Sequence, residues 1–293
     1  MTEYFSEHLV PAHRQQLECT EILFRSGSGT QEVLVFKNPL FGTVLALDKV
    51  VQTTTGDEYV YHEMMTHVPI LAHGAAESVL IIGGGDGGIL RHTLMHPGVK
   101  RAVMVEIEPQ VIDMTKKYMP SICGDAFENP KGKVIIDDGC KYVREAKEKF
   151  DVIIVDSTDP HGPGIVLFTP EFYADCKNCL KPGGVMVTQS GVPFSQPTTV
   201  QNCKRDLGKS FADVTFYMAT IPTYISGQMA LGWATDNSAL RKIDVGLLTE
   251  RLKAAGFGDK LSYYTPEVHK GAFAMPRYVE KLLEKSAKIH RAA

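Results

Sequence analysis

No stretch of this chain approaches the roughly 18 consecutive apolar residues that a membrane-spanning helix requires. Neither end shows the charged-then-apolar pattern of an export leader. A basic excess is also missing: 31 Lys and Arg against 34 Asp and Glu give a formal net charge of −3. That balance speaks against a nucleic-acid partner, which selects for a strongly basic surface. Cysteine is sparse, six scattered among 293 residues, so reduced thiols and a cytoplasmic location are expected. Cys176-Lys-Asn-Cys179 has C-x-x-C spacing but lacks a second pair, which fits partly buried helix cysteines better than a metal or redox site. Internal repeats, linkers and low-complexity tracts are absent. What remains is an ordinary globular composition, 44% hydrophobic and 22% charged.

One stretch organises the rest, Ser78 to Arg91, S-V-L-I-I-G-G-G-D-G-G-I-L-R. Val79–Ile82 is a short apolar run suited to a central parallel strand buried on both faces. Glycines Gly83, Gly85 and Gly88 satisfy G-x-G-x-x-G and allow a sharp turn and close approach of backbone to a ligand. A helix opening at Ile89 would turn its free N–H groups toward that ligand. Between strand and helix, the motif predicts a nucleotide site. Arg101 to Ile107 supplies a second strand carrying Glu106, about 20 residues past the loop, where a carboxylate can accept both ribose hydroxyls. Asp86 inside the loop would repel a pyrophosphate, so a cationic ligand such as a sulfonium-linked adenosine fits better than a dinucleotide.

Around this stretch the chain divides at about residue 70. Residues 1–70 read as β-rich, with strands at Glu32–Phe36, Thr43–Leu47 and Val50–Thr54 and a turn at Asn38–Gly42. So small a sheet cannot bury both faces alone and should pack on the main domain or on a second subunit. Asp57 to Leu71 looks helical as far as Pro69. Residues 71–293 alternate strand and helix, the mark of a doubly wound sheet. Its strands are predicted at Val79–Ile82, Ala102–Glu106, Lys133–Ile136, Val152–Val155 and Gly184–Gln189, closed by a hairpin of Val214–Thr220 with Met229–Thr235. Arg277 to Arg291 reads as a solvated amphipathic helix with a fraying end. The zinc-protease-like string His62-Glu-Met-Met-Thr-His67 fails on spacing, since five residues place the histidines about 140° apart on a helix.

Acidic groups recur at the carboxyl ends of these strands, where open α/β sheets bind ligands. Asp137-Asp138-Gly139 follows the third strand; Asp138 can meet an adenine amino group, cap the next helix, or do both. After the fourth strand comes Asp156-Ser-Thr-Asp159-Pro160-His-Gly-Pro-Gly, a loop shaped by three turn-formers. Asp156 and Asp159 beside Asp86 make a strongly negative pocket, costly unless a cation arrives.

Taken together, GGGDGGILR, VEIE, DDG, DSTDPHGP, IPTYISGQ, VVQTTTGDEYVYHEMMTHVP and the Phe273–Pro276 string F-A-M-P resemble the spermidine synthase (polyamine aminopropyltransferase) family from about residue 32 through Pro276. The resemblance implies a Rossmann-like class I methyltransferase fold with a small N-terminal β-sheet domain, assembled as a homodimer or homotetramer. It implies no cofactor. Decarboxylated S-adenosylmethionine would be a co-substrate, giving a lengthened polyamine, spermidine if the acceptor is putrescine, and 5′-methylthioadenosine. Carried over position by position, Glu106 would hold the ribose, Asp138 the adenine, and Gln52 and Asp86 the aminopropyl end. Gly83, Gly85 and Gly139 would also line the donor site. Asp156 would stand beside the attacking nitrogen as catalytic residue. Asp159, Tyr61, Tyr224, Gln189 and His62 would seat the amine. No metal ligands are implied. Three positions depart from the family pattern: His92 where an acidic residue is common, Ile165-Val166 in place of a pair usually containing Glu, and Gly56 for a frequent Arg.

Other readings remain open on the residues alone. The acceptor could be cadaverine, agmatine or spermidine. An S-adenosylmethionine-dependent N-methyltransferase shares the fold, although its donor adds a carboxylate that Asp86 would repel. An NAD-dependent oxidoreductase has only the glycine motif behind it, and a non-catalytic polyamine binder would need Asp159 but not Asp156.

Overall fold

Each apolar, β-branched run becomes a strand in the computed structural model, which describes residues 3–10, 12–26, 32–160 and 162–289. A hairpin comes first, β1 (Glu3–Glu7) against β2 (Gln15–Cys19). An antiparallel sheet follows in sequence order: β3 (Glu21–Arg25), β4 (Val33–Asn38), β5 (Gly42–Leu47) and β6 (Val50–Thr54). The main sheet contains β7 (Ser78–Gly83), β8 (Arg101–Glu106), β9 (Gly132–Ile136), β10 (Phe150–Asp156), β11 (Leu180–Gln189), β12 (Asp213–Ala219) and β13 (Met229–Thr235). Its order is β12-β13-β11-β10-β7-β8-β9, with β13 antiparallel to both neighbours. This is the Rossmann-like methyltransferase arrangement, and the five central and right-hand strands match the sequence expectation to within a few residues at each end.

The helices are α1 (Glu58–His73), α2 (Gly88–Leu94), α3 (Pro109–Tyr118), α4 (Pro120–Cys123), α5 (Gly139–Glu145), α6 (Pro170–Asn178), α7 (Pro197–Leu207), α8 (Val245–Ala255), α9 (Pro266–Ala272) and α10 (Arg277–Ile289). Two apolar clusters cover the two faces of the main sheet. No described helix is long and apolar enough to cross a membrane.

Two expectations need correcting. Helix α1 does not stop at Pro69 but runs through it to His73. Proline there removes one helical hydrogen bond, a cost of about 3 kcal/mol. Every residue from Val60 to Ala72 is buried, and burying Ile70 and Leu71 offsets that cost at roughly 1.5–3 kcal/mol per large side chain. Gly74, at φ 77°, ends the helix by returning its N–H to Ile70 O. The division expected at residue 70 falls inside this helix, which packs on the main sheet and on α2.

The small sheet packs on the main domain, one of the two outcomes expected, and the hairpin covers its other face within the same chain. Val33, Val35, Leu45 and Leu47 pack on Val111, Met119 and Ile122 of the main layer, while Phe5 and Leu17 of the hairpin cover Phe36, Val44 and Val51. Finally, α10 is amphipathic but docked: Val279 is fully buried with Val200 and Cys203 of α7. His290 and Arg291 of its expected span lie outside the described residues.

The sheet order reverses between β7 and β10, so the chain leaves in opposite directions from adjacent strand ends and a crevice opens there. In register, Asp156 stands opposite Gly83 on one side, and Glu106 stands opposite Ile136 farther along. The carboxyl ends of β7, β8, β10 and β11 thus share one rim.

Candidate active site

That rim borders a cavity of about 390 Å³. Gln52, Tyr61, His62, Gly83, Gly85, Asp86, Glu106, Asp138, Gly139, Asp156, Asp159, Gln189 and Tyr224 all line it, so the residues expected from sequence converge on one space. Asp137, next to Asp138, does not; it is paired with Lys141 on the surface.

The glycines serve the protein's own side chains as much as any ligand. A Cβ on Gly83, held at φ 81°, would collide with Asp156 O, and one on Gly88 would collide with the His62 ring. At Gly85 a Cβ would come within 2.9 Å of Glu106 Oε2. Asp86 Oδ1 accepts from Gly88 N–H at 2.8 Å. The carboxylate therefore occupies the helix start where a pyrophosphate would have to sit.

Behind Asp86 stands His62, which is 2% exposed. Its Nε2 lies 3.1 Å from Asp86 Oδ2, and its Nδ1 lies 2.5 Å from Glu58 Oε2. Burial opposes charge on the ring, but Asp86 and Glu58 outweigh it and hold the imidazole well above its usual pKa. The reciprocal effect keeps Asp86 anionic: burial pushes its carboxyl up, and the His62 charge and hydrogen bond bring it below the ordinary range.

Asp156 differs. Its enclosure, followed by the charge of Asp86, pushes it up to about 7, although His62 and the Tyr61 hydroxyl pull the other way. Tyr61 donates to Asp156 Oδ1 at 2.7 Å. Burial and then the Asp156 charge hold that phenol well above its usual value, so it stays a donor. Tyr224 meets Tyr61 edge-on with ring centroids 6.2 Å apart, and its hydroxyl donates to Gln52 O. Gln52 sends its amide nitrogen to Val50 O, 3.1 Å away. Asp159 accepts from Gln196 Nε2 at 2.8 Å. Gln189, 2% exposed, accepts Gly191 N–H on Oε1.

On the opposite side of the crevice Glu106 accepts from Glu108 N–H at 2.8 Å. Its burial raises the carboxyl despite backbone hydrogen bonds that lower it. Asp138 caps α5, taking Cys140 N–H and Lys141 N–H on Oδ1.

Ligand atoms of His62, Asp86 and Asp156 lie within 4.8 Å of one another. Both ring nitrogens of His62 are committed to carboxylates, so the ring has no lone pair for a metal while protonated. The donor set suits an organic cation. His67 of the zinc-like string lies elsewhere, hydrogen-bonded to His92 and His96.

Sequence reasoning missed several participants. Glu7, from β1, lines the cavity and accepts Val51 N–H on Oε1; burial above all pushes it up to about 7, with Asp159 adding to the effect. Its strand has too few apolar residues to stand out. Asp57 accepts from Thr223 N–H at 2.7 Å and from Thr54 Oγ1, fixing the loop that carries Tyr224. Glu58 was legible, since Glu and His four apart share a helix face. Of the three departures, Gly56 sits where a Cβ would be 2.9 Å from Phe41 O, and Ile165 and Val166 are exposed near the cavity mouth.

Comparison with known proteins matches residues 58–244 to the Spermine/spermidine synthase domain and residues 3–55 to the Spermidine synthase tetramerisation domain. A polyamine aminopropyltransferase of Ruegeria sp. (strain TM1040) is 50% identical over 281 residues, covering 96% of this chain and 97% of that protein. A crystal structure of spermidine synthase in complex with the transition state analogue AdoDATO superposes with TM-score 0.90 at 35% identity, over 97% of this chain and 95% of the other. Spermidine synthase from Thermotoga maritima gives TM-score 0.86 at 33% identity, over 96% and 94%.

Proposed function

We propose that this chain, which belongs to the spermidine synthase family and is a polyamine aminopropyltransferase, makes spermidine from putrescine and decarboxylated S-adenosylmethionine. One observation carries the transfer chemistry: two carboxylates in one cavity are driven apart, Asp86 held anionic and Asp156 raised to about 7. A fixed anion suits the donor's ammonium, and a carboxylate titrating near neutrality suits a general base.

The chemistry follows. An alkylamine of pKa about 10.4 is almost wholly protonated at neutral pH and has no lone pair to attack with. Asp156 takes that proton. The nitrogen then attacks the aminopropyl carbon next to sulfur, and the carbon–sulfur bond breaks with its electrons passing to sulfur. The products are the lengthened amine and the neutral thioether 5′-methylthioadenosine. The sulfonium is already a good leaving group, so neither metal nor prosthetic group is called for. Positioning supplies much of the acceleration, with Tyr61 and Tyr224 as walls for the methylenes and faces for the ammonium ends. Glu106 receives the ribose and Asp138 the adenine amino group. Gln52 turns its acceptor to the aminopropyl end, and Asp159 anchors the far end of the amine. His62 acts behind Asp86 rather than on the amine itself, and Gln189, its acceptor engaged by Gly191, offers donors near Asp156.

Assembly as a homodimer or homotetramer, and a cytoplasmic location, complete the reading. The first is supported by the family match of residues 3–55, the second by cysteines that are free in the structure.

The decisive experiment incubates the protein with decarboxylated S-adenosylmethionine and, separately, putrescine, cadaverine, agmatine and spermidine, and identifies products by mass. Putrescine should give spermidine at the highest kcat/KM; preference for another amine overturns the acceptor assignment. Glu106→Gln should weaken binding of 5′-methylthioadenosine by about 1.5–3 kcal/mol, the worth of a charge-assisted hydrogen bond. Equal affinity by calorimetry removes Glu106 from the site.

A further inference from the structure

A file of polar side chains leads away from the cavity through α1 and α2. Asp86 Oδ2 meets His62 Nε2 at 3.1 Å, and His62 Nδ1 meets Glu58 Oε2 at 2.5 Å. Glu58 Oε1 accepts from the Arg91 guanidinium at 3.0 Å, and the same guanidinium nitrogen lies 3.0 Å from His92 Nε2. Then His92 Nδ1 reaches His67 Nε2 at 3.0 Å, and His67 Nδ1 reaches His96 Nε2 at 2.9 Å.

Arginine has donors and no acceptor, which settles the direction of the whole file. His92 Nε2 must accept, so His92 Nδ1 carries the proton and donates to His67. His67 then donates from Nδ1 to His96. These three rings are neutral, and His92 takes none of Arg91's charge, leaving it for Glu58. From Arg91 inward the signs alternate: guanidinium, carboxylate, imidazolium, carboxylate.

We propose that Glu58 is a positioning residue for the transfer reaction: backed by Arg91 and His92, it holds His62 charged, and His62 fixes Asp86 as the anionic seat of the donor's ammonium. The proposal rests on the aminopropyl-transfer reading above. Glu58 flanks the cavity-lining His62 but is separated from Asp86 by that ring, so it acts through His62 rather than on the reacting atoms. Facing His62 are Glu58 and Tyr61 from α1, Asp86 from the glycine loop, His92 from α2 and Asp156 from β10, with Arg91 of α2 paired to Glu58. Among these, Glu58 and Asp86 are the carboxylates in direct contact with the ring. Burial alone would strip a histidine of its proton. With Glu58 neutral, His62 would lose one of its two counter-charges, and Asp86 and Asp156 would compete for one proton instead of holding separate roles.

Two measurements test this. Nitrogen-15 NMR of the histidine rings in the substrate-free protein should show His62 with both ring nitrogens protonated from pH 6 to 8, its signals identified by their loss in His62→Asn. In Glu58→Gln that ring should titrate within the same window. Steady-state kinetics of Glu58→Gln should show a donor KM raised about tenfold or more at pH 7 and dependent on pH across the window in which His62 titrates, with a smaller change in kcat. A purely structural role would not couple donor KM to pH. A neutral His62 in the parent at pH 7 overturns the proposal, as does a Glu58→Gln enzyme with parental donor KM and pH dependence. Should Glu58→Gln not fold, Arg91→Gln, expected to shift both readouts in the same direction by less, takes its place. If the parent transfers no aminopropyl group to any amine, the functional reading fails, and the NMR arm alone decides whether Glu58 sets the charge of His62.

Discussion

Asp86 and Asp156 carry the same functional group a few ångströms apart, and what separates them is the company each keeps. Asp86 has an imidazolium against it; Asp156 has a phenol hydroxyl and a neighbouring anion. Removing the second carboxylate should therefore act on the chemical step. Asp156→Asn should lower kcat by about 10²–10⁴-fold, the usual range for general acid–base help, while donor binding persists. In the parent, kcat/KM should climb as pH rises through about 7, where Asp156 gives up its proton, and that limb should vanish in the variant. Near-parental kcat and pH profile in Asp156→Asn would exclude it as the base. Glu7 makes a different prediction. Its folded pKa stands at about 7 against an ordinary 4.5, so its contribution to stability is full below about 4.5 and is lost as pH rises through 7. Glu7→Gln should thus gain stability over the substrate-free parent at pH 8, by up to about 3 kcal/mol, and gain little at pH 4. Urea midpoints at the two pH values check this; equal differences would contradict it.

Among elements, the interface of α1 and α2 is the least expected. Burial above all depresses His67, and holds His92 at about 2 and His96 at about 3, against an ordinary 6.5. The unfolded chain takes up those protons first, so the stability they confer is intact above about pH 6.5 and drains away as pH falls below it. His92→Gln, which can still accept from Arg91 and donate to His67, should lose less stability than the parent between pH 6.5 and 5. An unchanged loss would place the acid sensitivity elsewhere. Nothing in local sequence announced the contact of His67 with His92 and His96, because packing of two helices and not spacing brings His67 to the other two. What local sequence did announce was the central sheet: Val79–Ile82 and Val152–Val155 are apolar on both faces and admit few alternatives. The hairpin of β1 and β2 escaped notice for the opposite reason. Its strands, E-Y-F-S-E and Q-Q-L-E-C, bury few side chains, and their partners lie far along the chain. The site was legible wherever a carboxylate followed a readable strand, as at Glu106, Asp138 and Asp156. It was illegible where tertiary contact alone brought a residue in, as with Glu7 and Gln196.

At the scale of the molecule, the small sheet covers one face with the hairpin and the other with α3 and α4. Its burial therefore does not by itself demand a partner, and any assembly must use other surface, such as Leu40, which is 79% exposed at the tip between β4 and β5. Light scattering at micromolar concentration should report a dimer or a tetramer; a monomer would refute the assembly proposed above. The hairpin has one more consequence, and it concerns time. Gln15 donates to Thr223 O and His13 meets Ser226 Oγ, contacts spanning 208 and 213 residues of chain. The segment that closes the cavity is made well before the ledge on which it rests. At a ribosomal pace of about 5–20 residues per second, the hairpin residues wait roughly 10–40 s in the nascent chain before their seat exists. Strands β7 to β11 can pair in that interval, but the enclosure that raises Asp156 cannot be complete until the Thr223–Ser226 loop has emerged, so catalytic competence waits on that loop.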